Sequence, residues 1–166
     1  SNFKIGLTKD LRIKAFQAML YQNGGAAADL SPAIMERTLF HSTNACFIPN
    51  TEVTVHSCKT NLPPNTAFRG FGAPQGMFVI EAAIAMAARE MKIPARLIQQ
   101  ANFLKENDEF QFGQKARDVN IGKCYADLER GIDIEKTEKE ISDFNSKKTI
   151  YRKGIAVMPV CFGVSF

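Results

Sequence analysis

Asn65-Thr66-Ala67-Phe68-Arg69-Gly70-Phe71-Gly72-Ala73-Pro74-Gln75-Gly76 sets an arginine and two phenylalanines on a glycine hinge, and the apolar run Met77 to Met91 comes directly after it. The run reads as a helix from about Pro74 to Met91, apolar nearly all round until Arg89, and so as the buried spine of the domain. The hinge reads as a presenting loop. Gly70 and Gly72 allow backbone angles that a Cβ makes costly and let main-chain amides approach a ligand. Arg69 adds a permanent cation with planar donors, and Phe68 and Phe71 add flat apolar faces. An ordinary loop leading into a helix, with its aromatics in the core, fits this stretch equally well.

Outward from the loop the elements are mixed, which makes the fold class α+β. Phe3 to Leu7 and Leu11 to Gln22 read as a hairpin turned at Thr8-Lys9-Asp10, with Leu11, Ile13 and Ala15 inward and Arg12, Lys14 and Gln17 outward. Asn23-Gly24-Gly25 is expected to break the strand. Ser31 is placed to cap a short helix to about Phe40, with Pro32 at its first position. Glu52 to His56 alternates as a strand does, and Pro63-Pro64 halts any regular element beyond it. Pro94 opens a further helix through Gln100, residues 103–120 read as a surface loop, and Lys123 to Arg130 and Glu135 to Asn145 as charged, exposed helices. The apolar stretch from Gly154 to Phe166 reads as a final strand flanked by Lys147, Lys148, Arg152 and Lys153, a cluster most simply taken as a solvated rim.

At 166 residues the chain suits one domain or two small ones. A net charge of +4, interspersed, argues only weakly for nucleic acid or an acidic membrane surface. Cys46, Cys58, Cys124 and Cys161 lack CxxC spacing, and His41 and His56 lie far from paired ligands, so no metal site is expected and reduced cytosolic thiols are. No apolar run approaches the length of a bilayer span. The chain opens at Ser1 without a methionine and stops at Phe166 within an apolar run, so a piece of a longer polypeptide is expected.

Arg69-Gly70-Phe71-Gly72 also copies the front of the RNP1 strand of RNA-recognition modules. The copy lapses at Ala73-Pro74-Gln75-Gly76, where Pro74 removes a ladder donor, and no second aromatic strand lies upstream. RNA binding remains a minor alternative.

Four motifs in order resemble one family: Ile34-Met35-Glu36-Arg37 with Leu39-Phe40-His41; Cys58-Lys59-Thr60-Asn61-Leu62; Asn65 to Gly72 with Pro74-Gln75; and Phe162-Gly163-Val164-Ser165-Phe166. They are similar to the molybdenum-cofactor-binding portion of the xanthine dehydrogenase and xanthine oxidase family, in register over essentially the whole chain. The resemblance implies an α+β molybdopterin-binding fold of mixed strands around a buried helix. Residues 1–166 are then a fragment of that region, divisible into a substrate and cofactor-loop part at 1–92, a helical surface part at 93–152 and a continuing strand at 153–166.

The resemblance also implies roles. Arg37 matches the arginine that reaches the heterocyclic substrate and acts in catalysis. Arg69 matches the one lying against the molybdenum centre and its pterin, and Phe71 and Phe166 match the pair that sandwiches a purine ring. Related aldehyde oxidases generally lack the first arginine, so Arg37 favours a purine or similar azaheterocycle. On the residues alone, Arg37 reads as an exposed helix arginine and Phe166 as core.

In the complete enzyme the resemblance implies oxidation of a xanthine- or hypoxanthine-like purine with water-derived oxygen at a molybdenum-molybdopterin centre. It also implies 2Fe-2S and FAD on other domains or subunits, a homo-oligomer, a cytoplasmic location, and no nucleic-acid or membrane partner. The family's cradling glycine segment, later Gly-Gln-Gly segment and two pocket glutamates have no match here, and neither Glu36 nor Glu81 occupies their motif positions. The fragment alone is therefore expected to be inactive. A non-catalytic purine-binding or scaffold domain is the alternative.

Overall fold

In a computed structural model that describes residues 1–147 and 150–163, β1 (Asn2–Leu7) and β2 (Ile13–Gly25) form an antiparallel hairpin. The turn is closed by Thr8, whose N–H donates to Arg12 O at 2.9 Å and whose Oγ1 accepts from the Arg12 N–H at 3.1 Å. Gly6 pairs with Ala15 but Leu7 with Ile13, so Lys14 is an inserted bulge residue. The bulge resets the alternation. Ile13 points inward as expected, but Ala15 is exposed, and Phe16, Ala18 and Leu20 fill the core instead.

β2 then runs on through Asn23 and Gly24 to Gly25, so the glycine pair ends the strand rather than breaking it earlier. The chain crosses through α1 (Ser31–Phe40) and returns as β3 (Thr51–Lys59), parallel to β2. A parallel return needs such a crossover, because a tight turn can only reverse the chain. Among the described residues the sheet has the order β1-β2-β3, which leaves the outer edge of β3 without a strand partner. Ser31 is the first residue inside α1 rather than its cap. Its hydroxyl donates instead to Asn65 O at 2.8 Å, tying the helix start to the glycine loop.

α2 (Ala73–Met91) lies on the sheet, and its Ile80, Ala83, Ile84 and Ala88 pack with Phe16, Ala18, Leu20, Cys46, Ile48 and Ile98. Fully burying one such isoleucine contributes roughly 1.5–3 kcal/mol, so this face fixes where α2 sits. The opposite face is not spine: Phe78 is 71% exposed and Met86 54%, which corrects the expectation of burial all round. The C-terminus closes in a paired 6→1 and 5→2 arrangement, Ile93 N–H to Ala88 O at 3.0 Å and Lys92 N–H to Arg89 O at 3.1 Å, with Lys92 at φ 56°.

Beyond it come α3 (Ala95–Ala101), the 103–120 loop, α4 (Ile121–Gly131) and α5 (Ile134–Ser146). Only Tyr125 of α4 and Ile134 of α5 are buried, as charged exposed helices require. α5 is held by Arg96, whose guanidinium reaches Glu135 at 3.1 Å and Glu138 at 3.6 Å. The expected final strand differs: residues 151–163 form no ladder. No helix among the described residues is long and apolar enough to cross a membrane, and none of the four cysteines is in a disulfide.

Candidate functional site

Residues 65–72 form a loop with no strand character, so the RNP1-like segment lacks the sheet that base stacking would use. Its start is pinned to the end of β2, where Asn65 donates from Nδ2 to Asn23 O at 3.0 Å and from its N–H to Gly24 O at 3.3 Å. Its end is left-handed over consecutive residues, with φ of 93° at Gly70, 51° at Phe71 and 97° at Gly72. A phenylalanine in that region costs of order 1–3 kcal/mol unless its surroundings over-determine it. They do so through α1: Gly72 O lies 2.9 Å from Thr38 Oγ1, and a Cβ on Gly72 would stand 2.1 Å from Ile34 O. Gln22 donates to the same Thr38 hydroxyl at 2.6 Å. The loop is thus clamped against α1, with Phe71 half-buried beside that helix, Phe68 75% exposed and Arg69 exposed.

Arg37 is on the last turn of α1, where the helix dipole favours a cation, and it is buried at 7% exposure rather than solvated. Its Cζ lies 4.7 Å from the centre of the Phe162 ring, and its Nη2 donates to Gly163 O. One turn on, His41 approaches the same stretch. Its Nε2 accepts from the Gly163 N–H at 3.2 Å, so its Nδ1, 2.9 Å from Arg37 O, carries the proton of a neutral ring. The His41 and Phe162 ring centres are 5.5 Å apart.

Burial, aided by the Arg37 charge, holds the His41 pKa below its ordinary value of 6.5, against an opposing hydrogen bond to Arg37 O. As pH falls the unfolded chain therefore takes up this proton before the folded one, so the stabilising contribution is whole above about 6.5 and is lost progressively below it. The thermal midpoint of the wild-type protein is expected to fall further between about pH 8 and about pH 5 than that of His41→Gln, whose side chain can accept the Gly163 N–H but does not titrate. Parallel profiles for the two would refute the assignment.

Beneath these groups sits a polar cluster. Glu81 on α2 accepts from Asn44 Nδ2 at 2.8 Å and from Gln99 Nε2 at 2.6 Å. Burial raises its pKa, against the lowering effect of those two hydrogen bonds. Cys46, also buried, has its thiol pushed up by burial and by the Glu81 charge, so it is a packed thiol and not a nucleophile. Next to the cluster a groove of about 880 Å³ opens between the 103–120 loop, α4 and residues 157–163, with Phe40, Phe110, Phe112 and Phe162 along it. Among the described residues no group of His, Cys, Asp and Glu is arranged to hold a metal ion.

Arg37, Phe162 and Gly163 come together, and the loop carrying Phe71 and Arg69 docks on the same helix, while Phe166 lies outside the described residues. Sequence reading assigned no role to His41, Asn44, Glu81 or Phe162. The signal for two of them was available: positions 37, 41 and 44 recur at i, i+4 and i+7, one face of a helix and its continuation.

The Molybdopterin cofactor-binding domain family matches residues 1–103. The chain is 37% identical over 166 residues to "Xanthine dehydrogenase/oxidase" of Felis catus, covering 100% of this chain and 12% of the relative. It is 38% identical over 164 residues to "Xanthine dehydrogenase" of Oryza sativa subsp. japonica, covering 99% of this chain and 12% of the relative. The chain thus spans about 12% of the length of the curated relatives it matches. In fold it is similar to the aldehyde oxidoreductase of Desulfovibrio gigas, with a TM-score of 0.73, 22% identity and coverage of 89% of this chain and 16% of that one. The reconstituted CO dehydrogenase of Oligotropha carboxidovorans gives a TM-score of 0.74 at 17% identity, covering 87% and 19%.

Proposed function

Since the chain belongs to the molybdopterin cofactor-binding domain family, we propose that it supplies one wall of the reaction pocket of a molybdenum hydroxylase that oxidises a purine. The observation that carries this reading is the buried Arg37, whose guanidinium lies over Phe162 and which shares α1 with the residues that clamp the glycine loop. A cation buried at 7% exposure is retained against its desolvation cost, and stabilising charge that develops on a bound ring is a use that repays it. In this reading Arg37 faces the ring heteroatoms and favours the charge of the transition state over the ground state. Phe71 and Phe166 hold the flat ring from either side at little entropic cost.

The residues present also fit an anionic, pterin-bearing group on one side. Arg69 is exposed and forms no ion pair among the described residues, and no side chain caps the N-terminus of α2. When bound, the molybdenum-molybdopterin group supplies the two-electron oxidation and the oxygen transfer, and the chain supplies binding and orientation. The reading also implies an oligomeric enzyme with 2Fe-2S and FAD on other domains or subunits, which would take up the electrons released.

The test compares the chain alone with the complete polypeptide, by metal analysis and by turnover of xanthine. Stoichiometric molybdenum and turnover are expected only when the remaining segments are supplied. Turnover by residues 1–166 alone would overturn the view that this is one wall among several, and a complete polypeptide that holds molybdenum but leaves purines untouched would overturn the substrate class.

A further inference from the structure

We propose that Asn44 and His41 are positioning residues, which fix the register of residues 157–163 by standing in for the missing neighbouring strand and so keep Phe162 under Arg37. The bonded backbone groups fall on alternate residues. Val157 O accepts from Gln99 Nε2 at 3.0 Å, and Pro159 O accepts from Asn44 Nδ2 at 2.6 Å. The Cys161 N–H donates to Asn44 Oδ1 at 3.1 Å, the Gly163 N–H donates to His41 Nε2 at 3.2 Å, and Gly163 O accepts from Arg37. Positions two apart along an extended chain share a face, so this is the bonding row of a strand edge. The partner, however, is a set of side chains from the end of α1, the turn after it and α3, and residues 151–163 pair with no strand. On this edge, side chains occupy the place that a ladder would hold.

Asn44 is built for the task. It is 2% exposed, holds a left-handed φ of 49° that asparagine tolerates better than most residues, and presents its amide as a donor to 159 and an acceptor from 161, as a backbone peptide would. Glu81 fixes which way the amide points. An ionised carboxylate only accepts, so its 2.8 Å contact commits the Asn44 NH2 end to Glu81 and Pro159 O and leaves Oδ1 for Cys161. Glu81 orders Gln99 in the same way at 2.6 Å. A one-residue slip would turn the other set of side chains toward α1 and carry Phe162 off the guanidinium.

The positional claim stands on this geometry alone, while its bearing on catalysis rests on the function proposed above, and the experiment separates the two. In the complete enzyme, hydrogen exchange of the peptide spanning 157–163 is compared among wild type, Asn44→Ala, His41→Leu and His41→Gln, with the peptide spanning Phe16 to Leu20 as internal reference. Exchange is expected to quicken about tenfold or more in Asn44→Ala and His41→Leu, with the reference unmoved and with partial rescue in His41→Gln, which keeps an acceptor. Should Asn44→Ala fail to fold, the two His41 variants decide the question by themselves.

The kinetic arm is a double-mutant cycle with Arg37→Met. Asn44→Ala is expected to lower kcat/KM for a purine roughly tenfold when Arg37 is present and to add little when it is not, since a positioner acts through what it positions. Unchanged exchange in Asn44→Ala and His41→Leu overturns the proposal, as does an equal kinetic loss in both Arg37 backgrounds. Quickened exchange in an enzyme that never oxidised purines supports the clamp and overturns the function instead.

Discussion

Gly72→Ala is expected to be among the most destabilising single substitutions in this chain, at about 3–5 kcal/mol, because it combines two separate penalties. The residue holds φ 97°, and its new Cβ would stand 2.1 Å from Ile34 O and 2.9 Å from Thr38 Oγ1. Backbone cannot rotate aside as a side-chain tip can, so α1 and α2 must separate. Natural glycines in the same chain resolve the two penalties. Gly113→Ala tests strain alone, since it has φ 86° with nothing within 4 Å, while Gly76→Ala tests overlap alone, at 2.4 Å from Thr38 O. Gly122, inside α4 and with open space around it, is the control, and its replacement by alanine is expected to be neutral or to stabilise by about 0.5–1 kcal/mol. Denaturant midpoints order the four. A Gly72→Ala midpoint equal to that of Gly122→Ala would show that the loop is not clamped on α1.

Under the proposed function, the largest effect on activity is expected for Arg37→Met in the complete enzyme, a fall of roughly 10²–10³ in kcat/KM for purine oxidation with a smaller change in the thermal midpoint. Methionine keeps the length and apolar contact with Phe162 but loses the charge and the bond to Gly163 O. Arg37→Lys restores the charge without the planar fork and is expected to recover only part of the rate. An aldehyde, with no ring heteroatoms to face a cation, should be oxidised nearly as well by Arg37→Met as by wild type. Equal purine turnover in variant and wild type would remove Arg37 from the pocket.

The elements most legible in the sequence are those whose causes are local. α2 begins within a residue of the expected Pro74 and ends at Met91 as expected, because a proline near its start, a long apolar run and the lysine that leaves the helix at 92 all act over a few positions. The hairpin and the crossover helix arise from turn residues and alternation in the same way. What stayed hidden depends on partners distant in sequence. The Lys14 bulge exists only as a mismatch between two strands, and nothing in the residues 11–22 announces that Ala15 will face solvent. The 157–163 segment is apolar throughout, as a buried strand can be, yet the side chains that bond its backbone lie 58 to 126 residues earlier. Arg37 could be nominated only through resemblance, because helix periodicity alone leaves an arginine after Met35 and Glu36 on the solvent side. Its burial is made by the returning segment, whose Phe162 and Gly163 close over it.

Among the described residues no strand pairs with the outer margin of the nine-residue β3. Glu52 and Lys59 put charge at the two ends of that margin, but Val53, Thr54 and Val55 between them favour extended pairing. An uncovered margin of that kind is a template for self-adhesion, so whatever segment comes to lie along it shields the chain as well as extending the sheet.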